Sequence, residues 1–158
     1  MADPDGAVRR RACEEAGRQL AAGSAPEAGS IPAHHGAPLV ALLVGRLDDP
    51  DTAVAEMAAW ALGEAGARGG AACRRLASMT HSPSSLCREA AVAALGAIGE
   101  PSGLDAVIEA LGDRPAVRRR AVVALAGFTD RRAHDALRRA LDDGDWQVRQ
   151  AAEELLDD

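Results

Sequence analysis

Small and apolar residues recur along this chain at intervals of about four within short blocks, and the blocks themselves return about every thirty residues. Five segments align without gaps: AVRRRACEEAG (7–17), AVAEMAAWALGEAG (53–66), LCREAAVAALGAIG (86–99), AVRRRAVVALAGFT (116–129) and QVRQAAEELLDD (147–158). Their anchor positions are Val8, Val54, Cys87, Val117 and Val148, which gives spacings of 46, 33, 30 and 31 residues. Counted from each anchor, offsets 0, 4 and 8 are small or apolar, as in Val54, Ala58 and Leu62 or Val117, Ala121 and Leu125. Such residues form a stripe along one side of a helix with 3.6 residues per turn. Between these helices lie second apolar-periodic segments at 38–47, 70–79, 103–111 and 133–141. No segment alternates with a period of two over β-branched or aromatic residues, so strands are not expected.

The pattern predicts an all-α chain in which helix pairs stack, each burying its apolar stripe only against its neighbours. The expected organisation is one domain over 1–158: an inner helix at 3–17, an insertion loop at 23–37, and repeats at 38–66, 70–99, 102–129 and 131–158. That is an α-solenoid of about nine helices. Asp3-Pro4, Asp49-Pro50 and Ser82-Pro83 read as N-caps, each followed by a proline at the first helical position, where its missing N–H costs nothing.

Composition narrows the chemistry. At 158 residues the chain can bury a sizeable core without metals or disulfides. All 18 basic residues are arginine, and lysine, tyrosine and asparagine are absent, a bias that GC-rich codon usage produces and that points to a bacterial source. Without lysine no Schiff base can form. A net charge of −6 weighs against nucleic acid, whose binding depends on neutralising phosphates. Cys13, Cys73 and Cys87 show no C-x-x-C spacing, so neither a disulfide framework nor a zinc site is indicated, and a reducing cytoplasm is expected. The N-terminal MADPDGAVRRR has no apolar signal region, and no run reaches the roughly 18 apolar residues of a membrane span. No membrane association is expected.

The stretch SPSSLCREAAVAALGAIG and its parallels follow D-P-x-x-x-V-R-x-x-A-x-x-A-L-G-x-I-G. This pattern resembles the HEAT repeat, in the short bacterial form named after phycobilisome lyases. The resemblance covers nearly the whole chain outside residues 18–37. It implies a right-handed superhelix of HEAT-like helix pairs. It also implies that Arg9, Arg88, Arg118 and Arg149, all at offset 1, bond acidic turn residues of adjacent repeats, with Asp49, Asp113 and Asp143 as partners. Repeat two departs by placing Ala55 at that offset. Most members of the superfamily bind proteins; a minority are bilin lyases and isomerases, deoxyhypusine hydroxylases, or DNA glycosylases of related fold. The hydroxylases hold di-iron through His-Glu pairs, and here no histidine precedes a glutamate. The glycosylases present Trp and acidic residues, which Trp60 beside Glu64 resembles, but the acidic charge sets them aside.

In such a solenoid the V-R-x-x-A helices line the concave side. With core offsets 0, 4, 8 and 11 on one side, offsets 2, 6 and 9 are expected to face away from it. Offset 2 supplies Arg10, Glu56, Glu89, Arg119 and Gln150; offset 6 supplies Glu14, Trp60, Ala93, Val123 and Glu154. Gly63, Gly96 and Ala126, at offset 9, are expected to leave open space beside Trp60. Glu56 and Glu89 occupy equivalent places on helices about 8 to 10 Å apart, a range at which two carboxylates can divide acid and base duties. Trp60, Ala93 and Val123 would form an apolar floor, and Arg119 would hold an anionic group. The plainer reading makes these charges a solvated face, with Trp60 packed on the insertion. Arg74-Arg75, Arg131-Arg132 and Arg138-Arg139 read as solvated outer faces.

His34 and His35 stand in GSIPAHHGAP, a run of helix-breaking residues that reads as a surface loop, with a lid near Trp60 as the alternative. Adjacent histidines point apart in most backbone conformations, so no metal is expected there. The resulting expectation is a protein-interaction module without a cofactor, binding a protein partner on its concave face through Trp60, Glu56, Glu89, Arg119, Val123, Arg10, His34 and His35. The alternative is a small lyase or isomerase acting on a small molecule, with Glu56 and Glu89 as its catalytic candidates.

Overall fold

The computed structural model describes residues 5–23, 36–67 and 70–157. Among them are nine α-helices and no strand: α1 (Gly6–Gly23), α2 (Gly36–Arg46), α3 (Thr52–Glu64), α4 (Gly70–Met79), α5 (Ser85–Ile98), α6 (Leu104–Glu109), α7 (Pro115–Leu125), α8 (Arg131–Ala140) and α9 (Trp146–Asp157). The odd-numbered helices pack in sequence, α1 on α3, α3 on α5, α5 on α7 and α7 on α9. The even-numbered helices form a second layer over them, α2 on α3, α4 on α5, α6 on α5 and α7, and α8 on α7 and α9. This is an α-solenoid of helix pairs. No described helix is long and apolar enough to cross a membrane.

The core lies between the layers and follows the repeat register. Val54, Val117 and Val148 at offset 0, Ala58, Ala91 and Ala121 at offset 4, and Leu62, Leu95 and Leu125 at offset 8 are buried. The first repeat departs from this. Val8 is 46% exposed and Ala12 is exposed as well, because among the described residues no outer helix precedes α1. The three cysteines are buried and form no disulfide; the Cys73 thiol donates to Glu100 at 2.9 Å, and burial pushes the Cys13 thiol above its ordinary pKa.

Three boundaries differ from the sequence reading. Helix α1 continues past position 17 to Gly23. Gly17 reads as a stop, but Arg18, Gln19 and Leu20 are good helix formers, and Arg18 and Gln19 both reach back to Glu15 at 2.8 and 2.9 Å. The expected insertion loop falls mostly on residues 24–35, outside the described residues, as does Asp3-Pro4. The N-caps of α3 and α5 are Asp51 and Ser84, two residues later than Asp49 and Ser82; Asp51 accepts from the Ala53 N–H and Ser84 from the Cys87 N–H. Pro50 and Pro83 therefore lie in the preceding turns. Asp49 is engaged elsewhere.

Its carboxylate takes two hydrogen bonds from Arg9, at 2.8 and 2.9 Å, across the gap between the first two repeats. The same fork joins Arg88 to Asp113 at 2.6 and 3.0 Å, and Arg118 to Asp143 at 2.8 and 2.7 Å. Arg88 and Arg118 donate also to a turn carbonyl just before their own helix, those of Ser82 and Asp113; Arg149, expected to bond an acidic side chain of an adjacent repeat, instead donates to the Asp143 carbonyl before its own helix. At the remaining junction Ala55 replaces the arginine and Ser82 the aspartate, so both members are missing together. These side chains are largely covered; Arg9 is 11% and Asp49 3% exposed.

Hydrogen bonding from the arginines, opposed by partial desolvation, holds the carboxyls of Asp49, Asp113 and Asp143 below the usual carboxylate range. A carboxyl whose folded pKa is depressed contributes stability above the unfolded value of about 3.9, and loses it as the pH falls through the folded value. Asp113→Asn is expected to cost about 2 kcal/mol at neutral pH and to flatten the loss of stability below about pH 4. Urea midpoints of both proteins at pH 7 and pH 3 check this; equal midpoints at pH 7 would mean that the pair only offsets its own desolvation.

Some arginines of the outer layer also bridge repeats. Arg75 pairs with Asp48 and Arg132 with Asp105, so these two are not merely solvated, whereas Arg138 and Arg139 stay exposed in the last turn of α8.

The inner helices approach one another through glycine. A Cβ on Gly17 would lie 2.7 Å from the Ala61 Cβ, one on Gly63 3.0 Å from the Ala94 Cα, and one on Gly96 2.6 Å from both the Cα and the Cβ of Ala124. Offset 9 of one inner helix thus seats on offset 7 of the next. This corrects the expectation of open space: Gly63 and Gly96 are buried at the helix contact, and of the three only Ala126 is exposed.

Candidate functional site

The inner layer carries a groove of about 670 Å³ along the junction of α3 and α5. From α3 come Glu56, Met57, Trp60, Gly63 and Glu64; from α5 come Leu86, Glu89, Ala90, Ala93 and Ala97; α1 contributes Arg10 and α7 contributes Arg120. Glu56, Trp60 and Glu64 stand one turn apart on a single stripe, because residues four apart share a helix face. Trp60 is 47% and Leu86 55% exposed, while the alanines between them form a shallow apolar floor.

The electrostatics follow from the register. Offset 1 points toward the turn of the following repeat, which is why Arg9, Arg88 and Arg118 are paired. Offsets 2 and 3, about 100° and 200° further round the helix, point into the groove instead. Arg10, Glu56, Glu64, Glu89 and Arg120 make no ion pair or hydrogen bond through their side chains among the described residues. Five charges thus converge on one groove without internal partners.

Of the residues singled out in the sequence, Arg10, Glu56, Trp60 and Glu89 meet in this groove. Arg119 and Val123 do not join them. Both line a second depression of about 350 Å³ with Gln147, Gln150 and Glu154, where Gln150 Nε2 donates to Glu154 Oε1 at 2.9 Å. The expected anion-holding role of Arg119 beside the two carboxylates is therefore not what the fold provides; Arg120 lines both depressions and stands nearer that place. Val123, 49% exposed, is likewise no part of the floor under Trp60. His34 and His35 lie outside the described residues. Among the described residues no group of three or more His, Cys, Asp or Glu is arranged to hold a metal ion.

The sequence reading missed Met57, Ala90 and Arg120 at offset 3, Leu86 at offset −1, and Ala97 at offset 10; Glu64, also at offset 10, entered it only beside Trp60 in the glycosylase comparison. The open arc of each inner helix is turned about 40° from the predicted one, because the offset 9 side is pressed against the next helix. A signal was present. Glycine inside a helix costs about 1 kcal/mol against alanine, so its recurrence at Gly17, Gly63 and Gly96 marks a close approach rather than a vacancy.

A family model described as HEAT repeats matches residues 36–124, and one described as PBS lyase HEAT-like repeat matches residues 117–143. No curated protein matches the chain. Among solved structures, human deoxyhypusine hydroxylase in complex with glycerol is similar with a TM-score of 0.64 and 28% identity, over 75% of this chain and 42% of that one. The chain thus spans less than half of the hydroxylase. A designed armadillo repeat protein in complex with the peptide (KR)4 has a TM-score of 0.64 and 18% identity, over 98% of this chain and 77% of that one. The complex of CpcE and CpcF of phycocyanin lyase from a Nostoc species has a TM-score of 0.63 and 17% identity, over 90% and 98%. With the last two the likeness is one of fold.

Proposed function

We propose that this chain, which belongs to the HEAT-repeat family, is a protein-binding module whose partner docks in the groove between α3 and α5. The observation that carries this reading is Trp60, 47% exposed over an apolar floor and surrounded by charged side chains that have no partners among the described residues. Binding energy in protein interfaces concentrates on aromatic anchors that become desolvated, while a polar rim contributes register and specificity. That two similar folds are known in complexes, one with a peptide and one of two subunits, supports the reading.

Trp60→Ala is expected to weaken partner binding about 30-fold or more, a loss of about 2 kcal/mol, with the fold intact because the ring lies outside the interlayer core. Affinity capture on the immobilised chain, followed by titration of the captured protein against both forms, measures this. Undiminished affinity would remove the reading.

A second reading, a small lyase or isomerase, rests on the presence of both Glu56 and Glu89 in the groove. Glu56→Gln separates the two. An enzyme using that carboxylate for proton transfer loses about 100-fold in rate, whereas a binding module keeps its partner within a few-fold.

A further inference from the structure

The groove's unpaired charges are ordered along the solenoid. Arg10 comes from α1, Glu56 and Glu64 from α3, Glu89 from α5 and Arg120 from α7, and these helices pack in that order. The line reads positive, negative, negative, positive, with Trp60 between the two α3 carboxylates on their common stripe. An indole face flanked by carboxylates attracts a guanidinium or ammonium group, through the ring quadrupole as well as the charges. The outer arginines repel such a group and favour a carboxylate.

Inner helices about 9 Å apart place Arg10 and Arg120 about 27 Å from one another, the length of about nine residues of extended chain. We infer that the groove binds an extended peptide segment of about nine residues, with basic side chains near its centre and acidic side chains at both ends. The inference rests on the groove reading above and adds the chemistry of the occupant. In an extended chain the first, third, seventh and ninth side chains lie on one face, so a single strand can present acid, base, base and acid to the four helices in turn. A uniformly basic segment would meet repulsion at both ends.

The test uses two capped nonapeptides with alanine at all other positions. One carries aspartate at both ends and arginine at the third and seventh positions; the other has these charges exchanged. Isothermal titration of the intact chain is expected to show the first binding about tenfold tighter or more than the second. Trp60→Ala should abolish this binding. The double variant Arg10→Glu/Arg120→Glu should prefer a peptide with lysine at its ends over one with aspartate there. Equal affinities, the reverse preference, or no binding of either peptide at millimolar concentration would overturn the inference. The two readings fail separately. Loss of charge preference leaves the effect of Trp60→Ala on the captured partner standing, whereas a partner still held by Trp60→Ala removes the groove reading and the peptide inference with it.

Discussion

Leu95→Ala is expected to lower stability by about 2 to 5 kcal/mol, read as a fall in Tm of about 5 to 20 °C in a thermal melt followed by circular dichroism. The side chain is 1% exposed and sits at offset 8 of α5, the central inner helix. It is held from the outer layer as well, since a Cβ on Gly103 would lie 2.9 Å from the Leu95 Cδ2. Truncation removes buried methyl groups and leaves a cavity whose walls belong to two layers, so the site cannot simply collapse. Arg139→Ala, on the exposed side of α8, should change stability by less than about 0.5 kcal/mol. Equal losses for the two would mean that the buried face is misassigned.

Gly96→Val is expected to be of similar size, about 3 kcal/mol, through the opposite mechanism. Any Cβ at this position would lie 2.6 Å from the Ala124 Cα and 2.9 Å from the Ala124 carbonyl oxygen, contacts with backbone that no side-chain rotation relieves. The neighbouring Gly127 is tied to the same contact, since its own Cβ would fall 1.9 Å from the Gly96 carbonyl oxygen. Helices α5 and α7 would have to separate, and the interlayer packing of Leu95 and Leu125 would loosen with them. Gly45, in α2, provides the contrast. No atom of the described residues lies within 4 Å of a Cβ there, so Gly45→Ala should add about 0.5 kcal/mol by helix propensity alone. Urea titrations of the two variants check the pair of signs, and a neutral Gly96→Val would show that the inner helices are not in close contact.

Much of the architecture was legible because the repeat is written in local terms. Offsets 0, 4 and 8 fall on one side of any α-helix, so Val54, Ala58 and Leu62 declare a buried stripe without reference to other helices. The arginine and aspartate ladder was legible through the family resemblance at Arg9, Arg88 and Arg118, and so was its gap at Ala55, whereas Ser82 was read as a cap and Arg149 turned out to donate to the turn before its own helix. The candidate site was legible in part. Trp60, Glu56, Glu89 and Arg10 were identified from their register, while Arg120, Leu86 and Glu64 were not. Arg119 and Val123 were assigned to the wrong depression.

By itself, then, the sequence determined the helices, their pairing and the side of each that is buried, since these depend on periodicity and on residues a turn apart. The tertiary structure alone decided which flank of each inner helix is closed by the next. That choice depends on Gly17 meeting Ala61, Gly63 meeting Ala94 and Gly96 meeting Ala124, contacts between residues 44, 31 and 28 positions apart. The caps were decided in the same way: Asp49 is taken by Arg9 from 40 residues away, which leaves Asp51 to cap α3. Helical periodicity sets angles around one axis, whereas the direction in which the groove opens is set by how closely two backbones can approach, and that becomes known only when the helices are side by side.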